Sequence, residues 1–193
     1  MVGYPAMQLI ASIRVRSVMR LAAPVLALLL LGCAGRRPLT NLARSEPIFS
    51  PEVFFSGSTL GSGELKIDLS RTRAVAVHGS GHLEPDGTLV LDQIVNVAGA
   101  NPAKRQWRIK QTAPRRYAGS LTDASGQVVG EVIGNQLHLS YRLLKGGLAA
   151  DQRIYLVAGG ETALNHMTFS KLGVVVAVLD ETIRRVRCAA PSC

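Results

Sequence analysis

Aromatic residues are scarce in this chain: one tryptophan, four tyrosines and four phenylalanines in 193 residues. A surface that reads bases or sugars by stacking needs more of them, so no nucleic-acid partner is expected. Acids are few as well, 13 Asp and Glu against 22 Lys and Arg. Paired carboxylates for acid–base chemistry are poor candidates in such a chain, and the formal net charge of +9 suits an anionic partner. Only four histidines occur. His78 and His82 lie four apart on one strand face, about 13 Å from each other, too far to share a metal. His138 and His166 fall on different strands. Gly61-Ser62-Gly63 and Gly79-Ser80-Gly81 lack the Gly-x-Ser-x-Gly spacing of a hydrolase elbow, and no helix follows either. No metal, cofactor or catalytic set emerges, and a non-enzymatic protein is expected.

Long apolar runs are also missing. The longest starts at Leu21 and closes on Leu30-Leu31-Gly32-Cys33, with Pro24 inside it. That is about a dozen residues where a membrane span needs about 20, and Pro weakens a long helix. Arg14, Arg16 and Arg20 precede it. A basic flank, a short apolar core and a small residue before the cut make a secretory signal. A cysteine just after that small residue makes it a lipobox, in which Cys33 is acylated and residues 1–32 are removed. A plain secretory signal and a transmembrane helix are the alternatives. Three acyl chains on Cys33 hold far more firmly than one. Ala34, where aspartate would favour the inner membrane, points to the periplasmic face of a bacterial outer membrane. Cys188 and Cys193 remain in that oxidising compartment, either paired as a disulfide or free on a frayed tail, 188–193.

Residues 33–50 lack periodicity and carry Pro38 and Pro47, so they read as an extended tether. A domain spanning 51–187 follows, and it reads as strands. Leu65 and Ile67 alternate with Glu64 and Lys66; Leu137, Leu139, Tyr141 and Leu143 alternate with His138, Ser140 and Arg142. Glu84-Pro85-Asp86-Gly87, Asp123-Ala124-Ser125-Gly126 and Gly134-Asn135 are turn signals. About ten strands with short connections and no convincing helix predict an all-β antiparallel meander. Closing it into a lipocalin- or calycin-like β-barrel removes its edges and encloses either a small ligand or its own side chains. Inward Val75, Val77, Leu139 and Tyr141 would line any pocket.

The ordered motifs of the domain resemble the bacterial lipoproteins of the domain of unknown function 3833 family. They are Phe54-Phe55-Ser56-Gly57 with Gly61 and Gly63, Trp107-Arg108-Ile109, and Tyr117 with Gly119 and Asp123. Gly130 with Gly134 and Asn135, Tyr141 with Leu143, and Asn165 with Ser170-Lys171-Leu172-Gly173 complete the set. Asp151-Gln152-Arg153-Ile154-Tyr155-Leu156 departs from an acidic pair followed by tryptophan, and Leu172 replaces an aromatic residue. The resemblance implies a lipocalin-like barrel on a lipid anchor, without an established activity. It singles out Tyr117, Asn165 and Lys171 as polar groups.

Two functions follow from this reading. In the first, the barrel binds a lipid or other small apolar ligand, with Trp107, Tyr117, Tyr141, Asn165 and Lys171 as the ligand-binding set. Lys104, Arg108, Lys110, Arg115 and Arg116 then form a basic stripe against an anionic surface such as lipid headgroups. In the second, the barrel is filled and the same basic face docks an envelope protein partner.

Overall fold

A computed structural model describes residues 42–67 and 72–186. The stretch expected to be a leader, Cys33, Cys188 and Cys193 lie outside these residues. Ten strands were expected and ten form: β1 (Gly57–Ile67), β2 (Arg73–Leu83), β3 (Leu89–Val97), β4 (Ala103–Ala113), β5 (Arg116–Leu121), β6 (Ala124–Ile133), β7 (Gln136–Leu143), β8 (Ala149–Leu156), β9 (Thr162–Lys171) and β10 (Val174–Val186). Each pairs antiparallel with its chain neighbour, and β10 returns to pair with β1, so the sheet is a closed barrel. Closure gives the outer edge of β1 a partner along Ser58–Ile67, so no long strand edge stays open there.

The period-two alternation is realised strand by strand. Leu137, Leu139, Tyr141 and Leu143 on β7 face a core that also holds Val75, Val77, Leu121, Met167 and Leu179. The turns follow their residues. Gly87 donates its N–H to Glu84 O at 2.9 Å and takes φ of 83°. At the β5–β6 connection the turn falls on Thr122 and Asp123, and Ala124 already belongs to β6. Of the four residues expected as the turn, Asp123 forms it, while Ser125 and Gly126 enter a bulge that runs to Val129, where Gly126 takes φ of 76°.

Two features differ from expectation at one end of the barrel. A four-residue helix, α1 (Pro51–Phe54), precedes β1. Ser50 caps it by accepting from Val53 N, and Pro51 supplies the preset φ of a first helical position. The second concerns residues 42–50, inside the stretch expected to be a tether: they are fastened to the barrel. Phe49 is buried against Phe54 and Phe55, with ring centroids 5.4 and 6.2 Å away, and its N–H bonds Gly134 O. The buried Asn135 side chain accepts from Arg44 N at 2.7 Å and donates to Leu42 O and Leu156 O. Gly134, at φ of 56°, leaves room for this crossing, since a Cβ there would overlap Arg44 O. Phe49, Phe54 and Phe55 thus plug one end, beside the β6–β7 turn. The opposite rim carries the β3–β4, β5–β6, β7–β8 and β9–β10 turns.

Candidate functional site

Inside the barrel, β3 and β4 present Gln93, Arg105 and Trp107 from one side. Trp107 Nε1 and Arg105 Nε both donate to Gln93 Oε1 at 2.8 Å. The Arg105 guanidinium lies 5.6 Å from the Trp107 ring centroid, within cation–π range. Tyr141 stands edge-on to Trp107, and its hydroxyl donates to Gln152 Oε1 at 3.4 Å. Burial pushes that hydroxyl's pKa above its ordinary value. From β9 and β10, Asn165 Nδ2 donates to Glu181 Oε2 at 2.8 Å. Burial raises the Glu181 carboxyl's pKa, against the opposing pull of the Asn165 bond and the Arg105 charge. Gly61 makes the space for that carboxyl, because a Cβ there would overlap Glu181 Oε1.

This polar band surrounds little space. A void of about 30 Å³ lies among Gln93, Arg105, Trp107, Gln152 and Glu181, under Phe55. At roughly 10–15 Å³ per water it admits about two waters, whereas a ligand pocket needs about 300 Å³ or more. Val75, Val77, Leu139 and Tyr141 point inward as expected, but onto one continuous packed cluster.

The five residues expected to bind ligand do not converge. Trp107 and Tyr141 touch. Asn165 is spent on Glu181, with its Oδ1 buried and without a protein partner. Tyr117 sits under the plug, its hydroxyl 3.4 Å from Glu52 Oε2; burial first, then Glu52, pushes its pKa up to about 12. Lys171 ends β9 at the opposite rim. The residues that the expected set lacks are Gln93, Arg105, Gln152 and Glu181. Strand parity carried a signal for one of them, since Arg105 is two positions from Trp107 and shares its inward face.

Outside, the basic stripe is largely neutralised. Arg108 pairs with Glu84 at 2.5 Å and Lys110 with Asp86 at 3.1 Å, both acids belonging to the β2–β3 turn. Bonds from Thr88 N–H and Oγ1, then Lys110, hold the Asp86 carboxyl's pKa down at about 2. Arg116 lies 3.7 Å from Glu131, and Arg115 sits in the β4–β5 turn at φ of 61°. Of the five, Lys104 lines a groove. His138 and His166 do not meet; Arg153 stands between them in register, and each bonds an acid, Asp151 at 2.8 Å and Asp180 at 2.6 Å.

The groove beside Lys104 measures about 580 Å³ and crosses β1 to β4 on their outer face. Register builds it from two parallel rows. One runs Leu60, His78, Ile94, Lys104; the other runs Ser58, Ser80, Asp92, Gln106. Leu60 and Ile94 are exposed, an apolar stripe with a cation at one end and an imidazole between. Gln106 Nε2 donates to Asp92 Oδ1 at 2.9 Å, which leaves the acid engaged. A second hollow of about 370 Å³ lies across β8, β9, β10 and β1 beside Leu42, with Tyr155, His166 and Asp180 in its wall.

The fold is an all-β, lipocalin-like closed barrel of ten antiparallel strands. The S-type phycobiliprotein lyase CPES of Guillardia theta has a similar structure, with a TM-score of 0.57 and 11% identity over 72% of this chain and 94% of that one. No curated protein matches the sequence. The chain belongs to the family described as "Protein of unknown function (DUF3833)", whose model matches residues 27–185.

Proposed function

We propose that this chain is a lipid-anchored lipoprotein on the periplasmic face of a bacterial outer membrane, and that it binds a small amphiphile with an anionic head rather than catalysing a reaction. The anchor rests on the Leu30-Leu31-Gly32-Cys33 lipobox. The ligand rests on one observation: the groove on the outer face of β1 to β4 measures about 580 Å³, within the range of small-molecule sites, and joins an apolar stripe to a lysine. Its apolar stripe, Leu60 and Ile94, takes the tail, and Lys104 at the end of the row takes the head. The similarity to a barrel whose name describes a phycobiliprotein lyase fits a fold that handles small molecules.

Calorimetry and amide NMR of residues 34–193 with lysophosphatidylglycerol below its micelle concentration test the ligand. Saturable binding with shifts along the Leu60–Lys104 row is expected, lost in Leu60→Asp and Lys104→Glu. Shifts centred on Trp107 and Tyr141, or no binding, sink the groove reading. Palmitate labelling that survives Cys33→Ser sinks the anchor. The packed lumen also favours a second reading, a filled barrel that acts on an envelope protein through its outer surface. Crosslinking from Lys104 to a defined protein in cells, without lipid binding, would select it.

A further inference from the structure

The rim opposite the plug carries an apolar cluster that packing does not explain. Leu172, in the β9–β10 turn, is 97% exposed, and Val174 beside it 64%. Leu144, in the β7–β8 turn, is 60% exposed. The two turns are neighbours, because Ala149 at the start of β8 pairs with both Arg142 and Ser170. Leu172 also takes φ of 51°, in the left-handed region where a branched side chain is disfavoured and glycine is at ease. Neither the backbone nor the core therefore asks for leucine there.

Charge supplies the partner. Lys145 and Lys171 flank these leucines, and among the described residues neither makes an ion pair. The 143–149 and 170–175 segments contain no acid. Asp123, in the β5–β6 turn on the same rim, is half-buried, and its backbone carbonyl accepts from Leu144 N. The plugged end differs. Its exposed Val53, Leu83 and Ile133 lie next to, or two residues from, Glu52, Glu84 and Glu131. Two of those acids are paired, Glu84 with Arg108 and Glu131 with Arg116, whereas Lys145 and Lys171 carry no such pair among the described residues and stay available to an anionic surface.

The geometry points to the β7–β8 and β9–β10 turns as a membrane-inserting tip, with Leu144, Leu172 and Val174 entering an anionic bilayer and Lys145 and Lys171 at its headgroups. Apolar side chains ringed by lysine partition into such an interface by hydrophobic burial plus charge attraction. This inference uses the rim alone and is independent of the groove.

The test places a second tryptophan in the full chain and corrects for Trp107. Leu172→Trp is the first reporter, Leu144→Trp the second should the first not fold, and Val53→Trp the control at the plugged end. Each is bound to vesicles of phosphatidylethanolamine and phosphatidylglycerol with brominated acyl chains. The expected result is blue-shifted, quenched emission from the rim tryptophan, with Val53→Trp unshifted. Lys145→Glu with Lys171→Glu abolishes the quenching, as do vesicles of phosphatidylcholine alone. Equal emission from rim and control, quenching at Val53→Trp only, or quenching that ignores the lysines overturns the proposal. Far-UV circular dichroism confirms that each variant keeps its strands.

Discussion

Trp107 stands at 90° to Tyr141 across the lumen, with ring centroids 5.3 Å apart. The edge of one ring meets the face of the other, a pairing that contributes about 0.5–1.5 kcal/mol beyond the area it buries. A double-mutant cycle with Trp107→Leu and Tyr141→Leu, read from urea midpoints, should recover a coupling in that range. A coupling near zero would mean the rings only share space. Trp107→Phe alone leaves Gln93 Oε1 to Arg105 and should cost about 1 kcal/mol for the lost bond. Trp107 is the chain's one tryptophan, so its emission reports the lumen directly, blue while the barrel is closed and red on unfolding.

Phe49 is 2% exposed, although it lies in a stretch that reads as a tether. Removing a buried phenylalanine ring costs about 3–5 kcal/mol. Phe49→Ala should therefore lower the unfolding midpoint as strongly as a lesion in the strands. Asn135→Ala should cost about 1–3 kcal/mol, because the main-chain groups of Leu42, Arg44 and Leu156 lose their side-chain partner. If a chain starting at Pro51 is as stable as one starting at Ala34, residues 42–50 are not part of the barrel in solution.

These two residues show where the sequence speaks and where it stops. The β7 alternation of Leu137, Leu139, Tyr141 and Leu143 announces both a strand and its inward face, because a half-buried strand has period two. The Gly134-Asn135 turn is legible for the same local reason. Its second task, holding Arg44 and Leu42, is not, because the partners lie 91 and 93 residues away. The charge balance of the basic stripe is not legible either, for the same reason. Arg108 and Lys110 share a face on β4, but the acids that neutralise them arrive through the β2–β3 turn and the pairing of Leu89 with Ile109. Local pattern sets faces; register across strands sets charge. The polar band in the lumen was missed for a related reason. Arg105, Gln152 and Glu181 occupy inward positions that a hydrophobic alternation does not flag, and only closure of the barrel gathers them.

Asp86 offers a direct check on the turn. Its folded pKa lies below the ordinary aspartate value of 3.8, at about 2, held first by Thr88 N–H, then Thr88 Oγ1, then Lys110. A carboxyl whose folded pKa is lowered contributes stability present above the unfolded value and lost as pH falls through the folded one. NMR titration should place the Asp86 midpoint near 2. Thr88→Val, which removes the Oγ1 bond, and Lys110→Ala, which removes the ammonium, should each raise it. A midpoint near 3.8 in the native chain would show that the turn does not close as described.

Glu181 sets the opposite slope. Burial lifts its carboxyl pKa above the ordinary glutamate value of 4.5, more than the Asn165 bond and the Arg105 charge pull it back. A carboxyl whose folded pKa is raised supports the fold fully below the unfolded pKa and loses that support as pH rises through the folded one. Native stability should therefore fall above about pH 4.5, by the Glu181 share, and level off once the group is ionised in both states. Glu181→Gln keeps an oxygen for Asn165 Nδ2 and abolishes the ionisation. It should match the native chain at pH 4 and exceed it at pH 8. The gain reads as a higher Tm for Glu181→Gln at pH 8 and no difference at pH 4. Calorimetric scans at the two pH values decide it. If Glu181→Gln instead destabilises at pH 8, Arg105 and Asn165 favour the ionised carboxylate more than burial opposes it.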